Sequence, residues 1–139
     1  MKLATTLITI WGILFVVPLG MLAQSPQAHE NLPAMPVSLI KLIATPSDFD
    51  GERVRVVGYL GGAGLDKTLG LYLSESDGRN GAFMNAIVLP HLEPQKVHEL
   101  VGGYVLLSAT FHAPGSHSGS NGYLDEITEI KKWPALQPK

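Results

Sequence analysis

The chain has 139 residues, of which 45% are hydrophobic, 16% are charged and 7% are aromatic, and none is cysteine. A charged share below the usual ~25% excludes a disordered chain, a coiled coil and a polybasic nucleic-acid-binding arm. The lack of cysteine excludes a disulfide scaffold, a cysteine-ligated zinc site, a thiol nucleophile and a cysteine-linked lipid anchor. The 15 glycines and 10 prolines predict one domain of short elements joined by turns.

Residues 1–23 are interpreted as a targeting or anchoring segment. Lys2 is the only charge in this stretch, and an apolar core runs from Leu7 to Val17. A positive start, an apolar core and a small residue at position 23 are typical of a cleaved signal peptide. The 21 uncharged residues from Leu3 to Ala23 are also long enough for an uncleaved membrane anchor, so both interpretations stand. In either case we expect an exported protein, in the periplasm or at the cell surface.

The rest of the chain is predicted to hold a flexible tether at residues 24–35, a folded domain at 36–134 and a tail at 135–139. Removal of residues 1–23 from the 139 leaves 116, enough for one modest core. Nine basic residues then face twelve acidic ones, a net charge of −3. This balance counts against a protein that neutralises many phosphates.

The folded part is predicted to begin with a short helix at residues 36–44. Ser38 suits the N-cap position, and Pro46 ends the helix. One side of this helix is apolar and comprises Leu39, Ile40, Leu42 and Ile43.

The first strand is predicted at residues 53–60 from an alternation of period two. Val54 and the other inward residues are apolar, whereas Arg55 and Tyr59 point outward. Gly58 interrupts the pattern and predicts a bulge or bend, which would turn Tyr59 to the other face.

Two further strands are predicted at residues 69–74 and 83–89, with Tyr72 of the second strand pointing outward. The polar stretch 75–82 between them contains two hairpin-turn dipeptides, Asp77-Gly78 and Asn80-Gly81.

A second helix is predicted at residues 92–101, where Pro94 suits the first turn and a Gly-Gly pair closes the segment. The fourth strand is predicted at 104–113 and the fifth at 122–133. Apolar residues recur every three positions in the fifth, which fits a helix as well as a bulged strand.

This order predicts a mainly β protein: a five-stranded OB-fold barrel with a short N-terminal helix and a helix between strands three and four, preceded by a signal-peptide helix. The segments PSDFDGERVRVVGYL, GLYLSE, GGYVLLSATF and GYLDEITEI resemble the strands of small exported bacterial OB-fold proteins, a group described as nucleic-acid-binding-like or tRNA-anticodon-binding-like. The resemblance covers residues 37–133 and implies an OB barrel in the cell envelope. It transfers no ligand, because this fold hosts oligonucleotide, oligosaccharide and protein binders alike. The stretch 112–123 lacks the haem motif of periplasmic haem-chaperone OB proteins, and we expect no cofactor.

Ligands of this fold usually bind on the face of strands two and three, between the loops that follow strands one and four. Outward Arg55, Tyr59 and Tyr72 would lie near that face, with Lys67 and His117 in the two flanking loops. Tyrosine rings beside cations can stack bases or sugar rings, although tyrosine also favours strands for packing reasons alone. These five are the candidate ligand-binding residues. No catalytic or metal-binding residue is predicted, because the five histidines show no convergent spacing.

Three functional hypotheses follow. The one we favour is a non-catalytic binding module of the cell envelope, whose partner is a protein, a peptide or an oligosaccharide. The alternative is a single-stranded nucleic-acid binder, which requires a basic patch around Arg53, Arg55 and Lys67. A small hydrolase requires a pocket that holds two or more perturbed acids or histidines.

Overall fold

A computed structural model describes residues 33–63, 68–115 and 120–134. The predictions for residues 1–23, for most of the tether and for the tail at 135–139 lie outside these ranges. Across the three described ranges, no helix is long and apolar enough to cross a membrane.

The described residues form six strands and two α-helices, joined by short turns. In chain order they are β1 (Met35–Pro36), α1 (Leu39–Ala44), β2 (Arg53–Ala63), β3 (Thr68–Tyr72), α2 (Glu75–Asn80), β4 (Ala86–Leu89), β5 (Gly103–His112) and β6 (Tyr123–Lys132). Single 3₁₀ turns occur at Pro46–Phe49, Phe83–Asn85 and Pro94–Lys96.

Strands β2 to β6 close into a five-stranded mixed barrel that is compatible with an OB-like fold. The order is β2-β3-β4-β6-β5, and β5 returns to pair with β2. Neighbours are antiparallel except β4 and β6, which run parallel. Closure depends on the length of β2: residues 53–60 pair with β5, and residues 59–63 pair with β3. The predicted mainly β, five-stranded barrel is therefore confirmed.

The core fills the barrel, and α1 packs on it. The inward alternation predicted for β2 is confirmed, because Val54, Val56 and Leu60 are fully buried. Leu42 of α1 and Phe49 of the following 3₁₀ turn join the same cluster. Other strands supply the remaining buried side chains, among them Leu71, Ile87, Leu89, Val105, Leu107, Phe111 and Leu124.

The helix predicted at the start of the domain is confirmed. Its N-cap is Ser38, whose hydroxyl accepts the Lys41 backbone N–H at 3.3 Å. The hydroxyl satisfies one of the backbone donors that a helix leaves free at its start.

The prediction of a bulge at Gly58 is wrong. Strand β2 pairs residue for residue with β5 from Arg53 to Leu60. Gly58 serves packing instead, because a β-carbon there would lie 2.6 Å from Leu71 Cγ and 3.0 Å from the Tyr72 carbonyl oxygen.

The helix predicted between the third and fourth barrel strands is also wrong. Residues 92–101 contain the 3₁₀ turn Pro94–Lys96 and further turns. Most of its backbone bonds join residues three apart, such as Val97 N–H to the Pro94 carbonyl and Leu100 N–H to the Val97 carbonyl, and a single bond, from Val101 N–H to the Val97 carbonyl, spans four. Both α-helices of the domain have a serine N-cap whose side chain accepts a backbone N–H, whereas Glu93 at the start of this 3₁₀ turn makes no such side-chain bond.

The second α-helix lies instead at Glu75–Asn80, where hairpin turns are predicted. Ser74 and Asp77 cap it reciprocally: the Asp77 N–H donates to Ser74 Oγ at 3.1 Å, and that hydroxyl donates to Asp77 Oδ2 at 2.6 Å. Gly81 ends the helix in the left-handed region, with φ of 64°. Asp77-Gly78 thus lies within a helix, and Asn80-Gly81 forms the C-terminal end and C-cap of that helix.

The fifth barrel strand is a strand with a bulge, one of its two predicted forms. Thr110 pairs with Asp125, whereas Ser108 pairs with Glu129, so β6 holds two more residues than β5 over this interval. Ile127 lies inside the bulge and packs against the core. This explains why apolar residues recur every three positions in a strand.

Candidate binding groove

The two predicted ligand-binding tyrosines lie on the outer side of the barrel, but they are not exposed. Tyr59 is 6% and Tyr72 is 0% exposed. They form a cluster with Ala86 and Tyr104 that is separate from the barrel core. Rings of Tyr59 and Tyr104 meet edge to face, with centroids 5.6 Å apart. The expectation of an open aromatic platform is therefore wrong.

Helix α2 is the reason for this burial. Gly78 lies directly on the Tyr59 ring: a β-carbon at position 78 would be 2.5 Å from Tyr59 Cδ1 and 3.5 Å from Tyr72 Cδ2. Beneath it, the Tyr72 hydroxyl donates to the Gly62 carbonyl at 3.1 Å. Burial raises the pKa of Tyr72, so its phenol stays neutral. A base or sugar could stack on these rings only if α2 moved away.

Arg55 is the predicted site residue that reaches the surface. Its side chain is 48% exposed. Nε donates to Ser108 Oγ at 3.2 Å, and Nη2 lies 3.4 Å from Glu129 Oε2. The other two candidates, Lys67 and His117, lie outside the described residues.

The surroundings of the two β2 arginines are mixed in charge. Arg53 Nη2 donates to the Thr128 hydroxyl at 2.6 Å. Glu129 accepts from Lys131 at 2.8 Å and from Ser108 at 3.2 Å. The hydrogen bond from Lys131 is the main cause that lowers the pKa of Glu129, with smaller contributions from Ser108 and the charge of Arg55. This carboxylate is therefore ionised at neutral pH, and it offsets the basic patch that nucleic acid would need.

An apolar groove of about 560 Å³ lies beside Arg55. It is bordered by the start of the domain, by β2 and β5, and by the end of β6. Two large apolar side chains of its lining are exposed, Ile40 to 65% and Trp133 to 42%. The residues that line it are Pro36, Val37, Ser38, Leu39, Ile40, Arg55, Val57, Leu73, Leu106 and Trp133.

The groove exists because β2 has a gap in its pairing. On one side β1 pairs with Val54 and Arg55 only, and β3 begins to pair at Tyr59. Among the described strands, Val57 therefore pairs with β5 alone, where its partner is Leu106. The side chains of Val57 and Leu106 both face outward and form the apolar base of the groove. Trp133 is held there by its backbone N–H, which donates to the Tyr104 carbonyl at 2.8 Å.

Sequence reasoning missed this groove. The sequence offered only a weak signal at Val57, a β-branched apolar residue among the outward positions Arg55 and Tyr59. Single apolar side chains on an outer face are common and do not by themselves indicate a groove. Trp133 gave no signal at all, because its position beside the groove depends on where strand β6 runs and ends.

Titratable side chains also meet elsewhere on the surface that the structure describes. His91 Nδ1 lies 3.0 Å from Asp125 Oδ1, and this hydrogen bond is the main cause that lowers the Asp125 pKa. The His112 and Tyr123 rings stack with centroids 4.6 Å apart. Within the described ranges, no group of three or more histidine, aspartate or glutamate side chains could hold a metal ion.

A second exposed apolar feature is the turn at Phe83–Asn85. Met84 is 72% and Phe83 is 45% exposed. Asn121 Nδ2 fixes this turn by donating to the Met84 carbonyl at 2.7 Å and to the Ala86 carbonyl at 3.2 Å. This turn is a second exposed apolar patch, and it lies outside the lining of the groove.

Comparisons of this sequence with protein families, with curated proteins and with solved structures give no match.

Proposed function

We propose that this protein is a non-catalytic OB-like binding module that holds an extended, apolar stretch of a polypeptide in the groove beside β2. The main support for the proposal is the groove itself, because a concave apolar surface there lies beside a gap in the strand pairing of the sheet. The setting in the cell envelope rests on the interpretation of residues 1–23 and on the resemblance to exported OB-fold proteins.

The gap at Val57 favours a peptide over an oligosaccharide. The Val37 N–H donates to the Arg55 carbonyl at 3.0 Å, so the Arg55 backbone points towards β1. Backbone groups two residues apart point to the same side of a strand, and Val57 therefore presents its N–H and C=O in the direction of the groove. An extended peptide can add main-chain hydrogen bonds there and place alternate side chains on Val57 and Leu106. Sugars would need more polar partners than Ser38 and Arg55 supply.

The lining residues support binding rather than catalysis. Among the described residues that line the groove there is no aspartate, glutamate or histidine. General acid–base chemistry needs such a group within hydrogen-bond reach of the substrate. The nucleic-acid alternative has less support from this surface, because Arg55 lies beside Glu129 and both tyrosine rings are covered, which leaves Trp133 as the exposed ring of the described groove lining.

Trp133 provides the test, because it lines the groove and the sequence has only one other tryptophan, Trp11. In a Trp11→Phe background, all tryptophan emission reports on the groove. We would titrate this protein with a decapeptide containing Val-Leu-Val-Leu, with chitotetraose and with a single-stranded oligothymidine. The expected result is a blue shift of the emission with the peptide alone, because an apolar ligand removes water from the indole.

Two variants make the test specific. Val57→Asp places a charge on the groove and is expected to abolish the response. Met84→Ser removes an apolar side chain that is 72% exposed outside the groove, and it should bind the peptide as the parent does. A shift caused by the sugar or by the oligonucleotide, or no shift with the peptide, would refute the proposal.

A further inference from the structure

We propose that the ligand of this groove carries a carboxylate and that Arg55 receives it; this inference rests on the function proposed above. The carboxylate is either an acidic side chain or the C-terminus of the bound polypeptide, and both present the same planar pair of oxygens.

Arg55 has donors left for such a group. Of the described residues that line the groove, it is the only charged one. Its Nε and Nη2 are engaged by Ser108 and Glu129, whereas Nη1 makes no hydrogen bond or ion pair within the described part of the chain. A guanidinium carries five N–H donors in a fixed fork, and a carboxylate can accept two of them in parallel.

Glu129 can release Arg55 without being left unpaired. The Arg55–Glu129 separation is 3.4 Å, longer than the 2.8 Å between Lys131 and Glu129. Ser108 also donates to the same carboxylate at 3.2 Å. Because Lys131 is the main stabiliser of the Glu129 charge, Arg55 can turn a donor towards a ligand while Glu129 keeps two partners.

The groove therefore combines one cation with apolar walls, and its complement is an apolar segment with one acid. The Arg55 side chain is 48% exposed, and an apolar ligand that fills the groove would remove part of the water around it and strengthen the ion pair. This arrangement also fixes the direction of the bound chain, because the end of the segment that carries the acid must lie at Arg55.

Three peptides of one apolar sequence test this inference in the Trp11→Phe protein. One ends in a free carboxylate, one is amidated, and one is amidated but carries a glutamate near its end. We expect at least one of the two acidic peptides to bind on the order of tenfold more tightly than the neutral amide, the scale of one charge-assisted hydrogen bond. The peptide that shows this gain identifies the source of the carboxylate.

Arg55→Gln should remove the gain, measured as the ratio of the affinities of the acidic peptide and the neutral amide for the same variant. Arg79→Gln is the matched control: it removes one positive charge from α2, where Arg79 pairs with Glu75, and the gain should persist. Should Arg55→Gln fail to fold, the wild-type protein still decides, because the side-chain Nε resonance of Arg55 must shift with the acidic peptide and not with the amide.

The outcomes separate the two proposals. Equal binding of all three peptides would overturn the carboxylate inference and leave the groove as a peptide site. A gain that survives Arg55→Gln would assign the carboxylate to another group. Absence of any Trp133 response would remove the peptide function itself.

Discussion

A β-carbon on Gly78 would lie 2.5 Å from Cδ1 of the Tyr59 ring, so helix α2 lies as close to the barrel as its backbone allows. This contact covers the outer aromatic cluster, whereas the groove beside β2 has no lining residue from α2 and stays open.

Gly78→Ala is therefore expected to destabilise the protein. Alanine gains about 1 kcal/mol of helix propensity over glycine. The new methyl group collides with a buried ring that cannot turn away, and such overpacking costs about 1–3 kcal/mol. We expect a net loss of about 1 kcal/mol in the free energy of unfolding, measured by urea denaturation.

Gly62→Ala is the control for this substitution, because a β-carbon at Gly62 meets nothing within 4 Å. Its free energy of unfolding should be unchanged or slightly higher. A Gly78→Ala protein that is more stable than the parent would show that α2 does not rest on the Tyr59 ring.

The burial of Tyr72 should make the free energy of unfolding depend on pH in the alkaline range. Its pKa is raised by burial, so the folded state keeps the phenolic proton at a pH where the unfolded state has lost it. The stabilisation is complete below the unfolded pKa of about 10, and it is lost as the pH rises above that value. The free energy of unfolding should fall between pH 9 and pH 11, and it should fall less in Tyr72→Phe.

Tyr123→Phe serves as the comparison, since Tyr123 is 38% exposed and its removal leaves Tyr72 in place. This variant should show the same alkaline fall as the parent. If the free energy of unfolding of Tyr72→Phe also falls as steeply as that of the parent, Tyr72 is not the group responsible.

Asp77 should make α2 sensitive to acid. The hydrogen bond with Ser74 is the main cause that lowers its pKa, followed by the one from Asn85 at 2.8 Å. A lowered pKa in the folded state gives stability that is present above the unfolded pKa of about 3.9 and is lost as the pH falls through the folded value. Asp77→Asn should therefore show a smaller loss of stability than the parent between pH 6 and pH 2.

Glu99→Gln is a suitable control for acid titration, because the Glu99 side chain is 86% exposed. Its acid dependence should match that of the parent. Identical acid curves for Asp77→Asn and the parent would mean that the Ser74–Asp77 cap contributes nothing to the pH dependence.

The docking of α1 on the barrel can be tested with two residues of the same helix. Leu42 is fully buried in the core, whereas Ile40 is 65% exposed in the groove. Leu42→Ala should cost about 2–5 kcal/mol, because it leaves a cavity where the surroundings relax only partly. Ile40→Ala should change the free energy of unfolding by less than about 0.5 kcal/mol. If the two variants lose the same free energy of unfolding, Leu42 does not anchor α1 on the barrel.

Much of the fold could be predicted because its signals are local. The alternation at Val54 and Val56 indicated a half-buried strand, and Ser38 with the apolar residues after it indicated α1. Helix α2 had a local signal as well: Ser74 and Asp77 form the Ser-x-x-Asp pattern of a capping box. The turn dipeptides Asp77-Gly78 and Asn80-Gly81 competed with that pattern, and the helix cap was the stronger of the two.

The candidate site was less predictable because it depends on contacts between distant segments. Arg55 was placed correctly on the outer face, but its partners Ser108 and Glu129 come from β5 and β6. Tyr59 and Tyr72 were also on the expected face, yet their exposure depended on where α2 would pack. A period of two gives the face of a strand, and it says nothing about what covers that face.

The sequence by itself thus determined the five barrel strands, the first helix and the alternation that fills the barrel, but not β1 at Met35–Pro36, because residue types and their spacing specify elements through local backbone preferences and burial. Only the tertiary structure decided that the tyrosines are covered, that β2 is left with a gap at Val57, and that Trp133 stands beside Arg55. Those relationships depend on chain closure, which brings together residues far apart in sequence, and no local pattern encodes them.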